Sequence, residues 1–348
     1  MSESPPVKRL KRSTSLSAAK NDAHPSSLNN AARATQQLLA AQDADSRQSA
    51  ARAIAAACDD TDDDEDIAAR DALRPLAGML RSSDREAEAA SLALFKLARN
   101  LKNNVSIAKA GAIPPLVALL PNGTDEAKVN AAGGLRNLSG NVDNRVSIVK
   151  AGAIPWLFLL LQNGTDEAKE YAARTLYNIA FANENNRVSL LKAERIPALV
   201  VLLENGIDEA KTYAAGALCH LASNKNNTVS IAKAGAIPLL VALLENGTDE
   251  TKAYAAGAFS NLACNDNNAV SIAEAGAIPP LVAFLENGTD FDKEIAAGAL
   301  RGLAVKKDIR LSIAKAGAIP PLIALLENGT RLAKERAADF LRTLFYYS

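Results

Sequence analysis

The sequence predicts an all-α solenoid built from about eight repeats of three helices, and two observations predict it. The 348-residue chain contains 70 alanines and only 4% aromatic residues, a composition that favours closely packed helices over a strand-rich core. Its turn sequence Asn-Gly-Thr, or once Asn-Gly-Ile, recurs every 41 or 42 residues, beginning at Asn122, Asn163, Asn205, Asn246, Asn287 and Asn328. A fixed period of this size is typical of stacked repeats, because no single unit can bury its own apolar face.

Three helices are predicted in each repeat, and the turn residues mark where each one begins and ends. In the third repeat, a short first helix ends at Gly111, since glycine tolerates the left-handed conformation that stops a helix. Pro114 opens the second helix, whose first turn needs no N–H donor. Thr124 or Asp125 caps the third helix after the Asn-Gly turn. The apolar stripe of this third helix consists of Ala131, Ala132, Leu135 and Leu138.

The repeats are predicted to occupy residues 31–348, and residues 1–30 are predicted to form a disordered tail. The first two repeats, at about residues 31–58 and 67–100, are degenerate. The tail is basic and rich in Ser and Pro, a composition that buries too little apolar surface to fold. Its stretch Lys8–Arg12 resembles a nuclear localisation signal. The alternative is that this stretch occupies the acidic groove of the same chain and regulates binding there.

Charge, hydropathy and cysteine usage exclude several classes of function. The 39 basic and 39 acidic residues balance, so no net field attracts nucleic acid. The longest apolar runs, such as Ile154–Leu161, are too short to span a bilayer, so no membrane insertion is expected. The thiols Cys58, Cys219 and Cys264 are scattered without C-x-x-C spacing, which favours a reduced, intracellular compartment. A cytoplasmic location is expected, with the nucleus as the alternative.

The sequence predicts no catalytic, metal or cofactor site. Cys219 and His220 are adjacent, but neighbours on a helix point about 100° apart and do not face each other. The acidic run Asp59–Asp66, together with Asp71, has the spacing of a calcium-binding loop. Glu65, however, stands where that loop needs glycine, so a solvated loop is expected instead. We therefore expect a non-enzymatic protein.

The residues of each repeat follow one pattern, which is Asn-Asn-x-Val-Ser-Ile-Ala-Lys-Ala-Gly-Ala-Ile-Pro followed by Asn-Gly-Thr-Asp-Glu-x-Lys. This pattern resembles the armadillo repeat and covers about residues 31–347. HEAT repeats have a similar period, but the Gly-Ala-Ile-Pro turn and the short first helix favour the armadillo type. The resemblance implies a right-handed superhelix whose third helices line a concave groove. Members such as β-catenin and importin-α bind extended peptides in that groove.

One position near the end of each third helix carries most of the functional prediction. In the armadillo family an asparagine there hydrogen-bonds the backbone of a bound peptide, and the resemblance assigns this role to the residues of this chain. Gly302 and Thr343 depart from the pattern, so the last two repeats are expected to bind a backbone poorly. We call this position the ladder position, and its predicted peptide-binding residues are Asn137, Asn178, His220 and Asn261.

Neighbours of the ladder position extend the predicted site. Residues four, seven and eleven positions earlier lie within about 40° of it around the helix. The position four residues earlier contributes Arg174, and the position seven residues earlier contributes Tyr171, Tyr213 and Tyr254. The position eleven residues earlier contributes Glu126, Glu167, Glu209 and Glu250. Tyrosine faces and carboxylates together predict a ligand with basic side chains. The tryptophans that importin-α carries four positions before the ladder are absent, so the surface is more similar to β-catenin-like and armadillo-only proteins.

The function predicted from these features is a non-catalytic scaffold that binds an extended peptide segment of a partner protein in the groove. A nuclear-import-type adaptor and a substrate-recognition subunit of a ubiquitin ligase remain alternatives. Weak self-association through the C-terminal repeat is also expected, because the last helix carries apolar residues that a following repeat would cover. These residues are Phe340, Leu341, Leu344 and Phe345.

Overall fold

The computed structural model describes residues 25–58, 70–182 and 195–346. The basic stretch Lys8–Arg12 and the acidic run Asp59–Asp66 lie outside the described residues, so their predicted roles stay predictions. Helix α1 begins at Pro25, six residues before the predicted start of the repeats at residue 31.

The described residues form 21 α-helices and one 3-10 helix and contain no strand. Repeats 1 and 2 contain α1 (Pro25–Ala40) and α2 (Ala44–Ala57), then the 3-10 helix (Arg70–Ala72), α3 (Leu73–Met79) and α4 (Asp84–Leu97). Repeats 3 and 4 contain α5 (Asn103–Lys109), α6 (Ile113–Asn122), α7 (Asp125–Leu138), α8 (Val142–Lys150), α9 (Ala153–Asn163) and α10 (Asp166–Ala182). Repeats 5 and 6 contain α11 (Ile196–Asn205), α12 (Asp208–Ala222), α13 (Lys225–Lys233), α14 (Ala236–Asn246) and α15 (Asp249–Leu262). Repeats 7 and 8 contain α16 (Asp266–Glu274), α17 (Ile278–Asn287), α18 (Asp290–Leu303), α19 (Lys307–Lys315), α20 (Ile319–Asn328) and α21 (Arg331–Tyr346).

The third helices form one continuous layer. Helices α2, α4, α7, α10, α12, α15, α18 and α21 each pack against the next in this order. Each second helix packs on the third helix of its own repeat, and the third helices carry fully buried alanines. The small side chain lets two helix backbones approach closely and excludes water from the contact. In repeats 3 to 7 each third helix has one pair of adjacent alanines that are at most 1% exposed, and these pairs are Ala131 and Ala132, Ala172 and Ala173, Ala214 and Ala215, Ala255 and Ala256, and Ala296 and Ala297.

The turn between the first and second helices needs glycine for its backbone conformation. Gly111 has a φ of 81° and Gly317 a φ of 89°, values that side chains with a Cβ rarely adopt. The two helices that these glycines join meet at 78° to 87° in five repeats. The first helix therefore crosses the second almost at a right angle, as the Gly-Ala-Ile-Pro turn predicts. Within the described ranges no single helix is long and apolar enough to cross a membrane, although these five bent pairs would suffice by length and composition alone.

The Asn-Gly-Thr turn places the start of the third helix in repeats 3, 4, 6, 7 and 8. The glycine is not needed for a positive φ there, because Gly123 has a φ of −75°. It is needed for space: a Cβ on Gly123 would lie 2.9 Å from the carbonyl oxygen of Leu119. The threonine then caps the helix, since the Thr124 hydroxyl accepts the Ala127 N–H at 3.1 Å. Of the two caps that the sequence allowed, Thr124 rather than Asp125 is the residue used.

A buried column of asparagines joins four of the third helices to the first helices that follow them. The Nδ2 group of Asn144 donates to the carbonyl oxygens of Leu138, at 3.2 Å, and of Asn104 in the preceding repeat, at 3.1 Å. Asn268 repeats both bonds with Leu262 and Thr228. The Leu138 carbonyl oxygen at the helix end also accepts the Asn141 N–H at 3.1 Å, so the asparagine side chain supplies its second, buried donor. We call this set the buried asparagine column, and its members are Asn103, Asn144, Asn227 and Asn268.

The C-terminal helix buries more of its apolar surface than the sequence analysis expected. Phe340 and Leu344 are buried and Leu341 is half-buried, because α21 packs them against α18 and α20. The expectation that all four apolar residues face outward is wrong, and only Phe345, at 63% exposure, does so strongly. Self-association through this end stays a prediction.

Replacing Asn268 with Ala should lower the free energy of unfolding by about 1–3 kcal/mol, because two carbonyl oxygens lose their buried donor. The change in the free energy of unfolding is measured from the shift of the urea midpoint. The matched control is Asn287→Ala, whose exposed side chain donates to the Ala283 carbonyl oxygen at 3.0 Å. That change should stay within about 0.5 kcal/mol. Equal effects of the two substitutions would contradict a structural role for the buried asparagine column.

Candidate peptide-binding groove

The predicted site residues of repeats 3 to 6 lie on the face of the third-helix layer that carries the ladder position, which we call the groove surface. Asn137, Asn178 and Asn261 are half-buried on α7, α10 and α15. Each donates from Nδ2 to the preceding repeat. The acceptors are the Phe95 carbonyl oxygen at 3.2 Å, the Ser139 hydroxyl at 2.8 Å and the Cys219 carbonyl oxygen at 2.9 Å.

The ladder asparagines differ in how much hydrogen-bonding capacity they keep. The Oδ1 atom of Asn137 accepts a hydrogen bond from Arg136 Nη1 at 2.9 Å. Within the part of the chain that the structure describes, the Oδ1 atoms of Asn178 and Asn261 accept none. Each amide also has a second N–H. The Nδ2 group of Asn261 also makes a weak contact with Cys219 Sγ at 3.9 Å. Asn178 and Asn261 therefore keep a donor and an unused oxygen for a ligand, whereas Asn137 keeps a donor and only one free lone pair of its oxygen.

Two of the predicted site residues form the floor of the groove rather than its open surface. His220 is 8% exposed and packs between the rings of Tyr177 and Phe181, with ring centroids 5.3 and 5.2 Å away. Tyr254 is 5% exposed, and its hydroxyl donates to the Tyr177 hydroxyl at 2.6 Å. A role of His220 and Tyr254 in binding stays a prediction, and it would have to act through the residues that cover them.

Tyr177, which the sequence analysis missed, is the centre of the aromatic floor. It immediately precedes the ladder residue Asn178, and its ring crosses over to the next third helix. There it covers Gly216, where an added Cβ would lie 2.7 Å from the ring. The ring also contacts Tyr213 and Tyr254, with centroids 5.9 and 5.3 Å away. The signal in the sequence was the glycine four positions before the ladder, which marks a place where another side chain lies on the helix backbone.

The same arrangement occurs two repeats earlier. Phe95 covers Gly133, where a Cβ would lie 2.8 Å from the ring, and its centroid lies 5.5 Å from that of Tyr171. In both cases an aromatic residue reaches across one repeat to meet a tyrosine two repeats away. The groove floor of repeats 2 to 6 is therefore a run of aromatic rings that interlock between repeats.

The tyrosine rings that were predicted to receive basic ligand side chains are already covered by arginines of this chain. The guanidinium carbon of Arg136 lies 5.6 Å from the Tyr171 ring centroid, and that of Arg174 lies 5.0 Å from the Tyr213 centroid. The Tyr171 hydroxyl donates to the Glu167 carboxylate at 2.6 Å. A basic ligand side chain on either ring would meet one of these guanidinium groups.

The central groove is an electrostatically coupled cluster. Burial lowers the pKa of Arg136, and the positive charge of Arg174 lowers it further. Burial raises the pKa of Glu170, although both arginines oppose this shift. The carboxylates of Glu167 and Glu209 lie farther out, exposed in the first turns of α10 and α12, where the helix dipole favours negative charge.

The open groove ends in repeat 7. There Arg336 Nη1 pairs with Glu294 Oε1 at 3.1 Å, and both side chains are at least four-fifths buried. The same Nη1 atom lies 3.8 Å from where a Cβ on Gly298 would be. This ion pair joins α18 to α21 beside Gly298, whereas aromatic rings lie over the equivalent Gly133 and Gly216.

Replacing Gly216 with Ala should destabilise the chain by about 1–3 kcal/mol, because the Tyr177 ring is confined by its aromatic neighbours and cannot move away freely. Gly298→Ala is the matched control, since its nearest neighbour would be Ser260 Oγ at 3.5 Å. That substitution should be neutral or stabilise by up to about 1 kcal/mol through helix propensity. Thermal unfolding of both variants measures the difference. If both substitutions changed the stability in the same direction, this would contradict the packing of the aromatic floor.

Cys219 should be inert to thiol reagents at pH 8 while Cys264 reacts. Burial raises the pKa of the Cys219 thiol to about 12, so almost no thiolate is present, whereas Cys264 is exposed. Peptide mapping by mass spectrometry after alkylation distinguishes the two sites, with unfolded protein as the control in which both react. Equally fast labelling of both in the native protein would mean that the groove floor opens readily.

Comparison with known proteins agrees with this architecture. The Armadillo/beta-catenin-like repeat family matches residues 105–140 and 224–264, and no curated protein matches the chain. An engineered protein of the Northeast Structural Genomics Consortium aligns with 91% of this chain and 78% of its own, at 27% identity and a TM-score of 0.80. A second engineered protein of that consortium is 30% identical over 67% of this chain and 96% of its own, with a TM-score of 0.60.

A designed armadillo repeat protein in complex with the peptide (KR)4 is also similar. It is 26% identical over 67% of this chain and 99% of its own, with a TM-score of 0.59. The prediction of an all-α solenoid of armadillo-type repeats is thereby confirmed. The chain belongs to the armadillo repeat family.

Proposed function

We propose that this chain is a non-catalytic scaffold that holds an extended segment of a partner protein along the groove surface of repeats 3 to 6. The observation that carries the proposal is the unused hydrogen-bonding capacity of Asn178 and Asn261. An amide side chain with a free donor and a free acceptor can satisfy both backbone groups of one ligand residue. An extended segment needs such partners, because its backbone groups lose water on binding and have no helix or sheet to pair with.

Two further features support the same site. The interlocked aromatic floor around Tyr177 provides a rigid apolar surface beside the two asparagines. The designed relative bound to (KR)4 is an armadillo repeat protein that binds a peptide, which is consistent with peptide binding by this fold.

The test begins with random twelve-residue peptides displayed on phage and selected on the immobilised full chain. The dissociation constant of a selected peptide is then measured by fluorescence anisotropy with the native chain and with Asn178→Ala/Asn261→Ala. We expect the double variant to bind about tenfold more weakly or worse, since each lost hydrogen bond costs about 0.5–1.5 kcal/mol.

The internal bonds of both asparagines are lost as well, so the double variant should also be less stable by about 1–3 kcal/mol. Binding is therefore measured well below its unfolding midpoint. Asn246→Ala/Asn287→Ala is the control, because both residues are exposed at the ends of second helices. Unchanged affinity of the groove variant, or an equal loss in the control, would contradict the proposal.

A further inference from the structure

Arg136 and Arg174 stand out among the arginines of the groove surface because neither forms an ion pair. Within residues 25–58, 70–182 and 195–346, the structure gives Arg301 an ion pair with Asp339 at 3.8 Å and Arg336 one with Glu294 at 3.1 Å. No carboxylate oxygen of that part of the chain lies within 4.0 Å of the guanidinium nitrogens of Arg136 or Arg174.

Both guanidinium groups also keep most of their hydrogen-bond donors free. Among the described residues Arg136 donates only to Asn137 Oδ1, and its Nε atom is buried without an acceptor there. Arg174 donates no hydrogen bond to any described residue. The other guanidinium donors of Arg136 and Arg174 are not buried without a partner, so they remain accessible to an acceptor that arrives from outside the chain.

The two guanidinium groups are held in place before any ligand arrives. Each is stacked over a tyrosine of the following third helix, Arg136 on Tyr171 and Arg174 on Tyr213. They are close enough for the charge of Arg174 to disfavour the charged form of Arg136. Stacking holds each planar guanidinium group in one orientation, so less side-chain entropy is lost when a ligand binds it.

The carboxylates of the described residues do not satisfy this pair. Glu170 lies near both arginines and moderates their repulsion, yet it is not in ion-pair contact with either. Glu167 accepts the hydroxyl of Tyr171, and Glu209 is exposed at the edge of the groove. An anionic group placed between the two guanidinium forks would relieve their repulsion and supply the missing acceptors.

We infer that Arg136 and Arg174 form a subsite for the carboxylate side chain of an Asp or Glu residue in the bound segment. This rests on the proposed function, since the segment must lie along the same groove surface. It reverses the ligand charge that the sequence analysis predicted for the centre of the groove. The guanidinium fork matches the two oxygens of a carboxylate, which fixes the position of one acidic residue and hence the register of the segment.

The inference is tested on the peptides selected with the native chain. We expect an Asp or Glu at one fixed position of the aligned peptides. A synthetic selected peptide with Gln at that position should bind the native chain at least about tenfold more weakly. Against Arg136→Gln/Arg174→Gln, the acidic and the Gln peptides should bind equally. The control is Arg301→Gln, because this arginine lies further along the same surface and already has a partner, so the preference should persist.

Each outcome decides a different claim. Selected peptides without a fixed acidic residue, or with a basic residue there, would overturn the carboxylate subsite and leave the proposed function standing. If no peptide could be selected, both the carboxylate subsite and the proposed function would be contradicted. A phosphoserine peptide that binds at least tenfold more tightly than the acidic peptide would overturn the carboxylate assignment in favour of a phosphorylated ligand. Circular dichroism is used to check that the Arg136→Gln/Arg174→Gln variant is folded. The Arg136→Lys/Arg174→Lys variant should keep part of the preference for the acidic peptide, since lysine keeps the positive charge but lacks the guanidinium fork.

Discussion

The structure depends on the close contact between consecutive third helices. These helices carry pairs of adjacent, fully buried alanines, such as Ala131 with Ala132 and Ala214 with Ala215. Because an alanine contact brings helix backbones close together, a side chain near the end of one third helix can reach the next helix. Tyr177 does so over Gly216, and Phe95 does so over Gly133. The aromatic floor of the groove is thus a consequence of the spacing that alanine sets.

Two columns of asparagine illustrate how repeated residues of one type serve different purposes. Asn144 and Asn268 are buried and donate to two carbonyl oxygens each, so they hold neighbouring repeats together. Asn178 and Asn261 are half-buried and use one donor each, so they contribute to the contact between repeats and keep capacity for a ligand. Periodicity alone does not separate these roles, because duplication copies both columns equally. The two roles are distinguished by the number of hydrogen-bond acceptors that surround each side-chain amide.

The sequence was sufficient for features that depend on neighbouring residues along the chain. The period, the stop at Gly111 and the turn before Thr124 are local, and all three are present in the structure. The features that it did not predict join residues from different repeats. Tyr177 and Tyr254 are 77 positions apart, and their hydroxyl contact depends on the rotation between repeats. For the same reason the burial of His220 was not predicted, nor was the stacking of Arg136 on Tyr171, although every residue concerned was visible in the repeat.

The central claim is that the ladder asparagines are open to a ligand while the buried asparagine column is not. Side-chain amide NMR of the ¹⁵N-labelled chain tests this directly, since each asparagine Nδ2 group gives its own pair of signals. On addition of a bound peptide, the account predicts shifts for Asn178 and Asn261 and none for Asn144 and Asn268. Unchanged Asn178 and Asn261 signals in a chain saturated with peptide would contradict it, as would shifts confined to residues of the first helices.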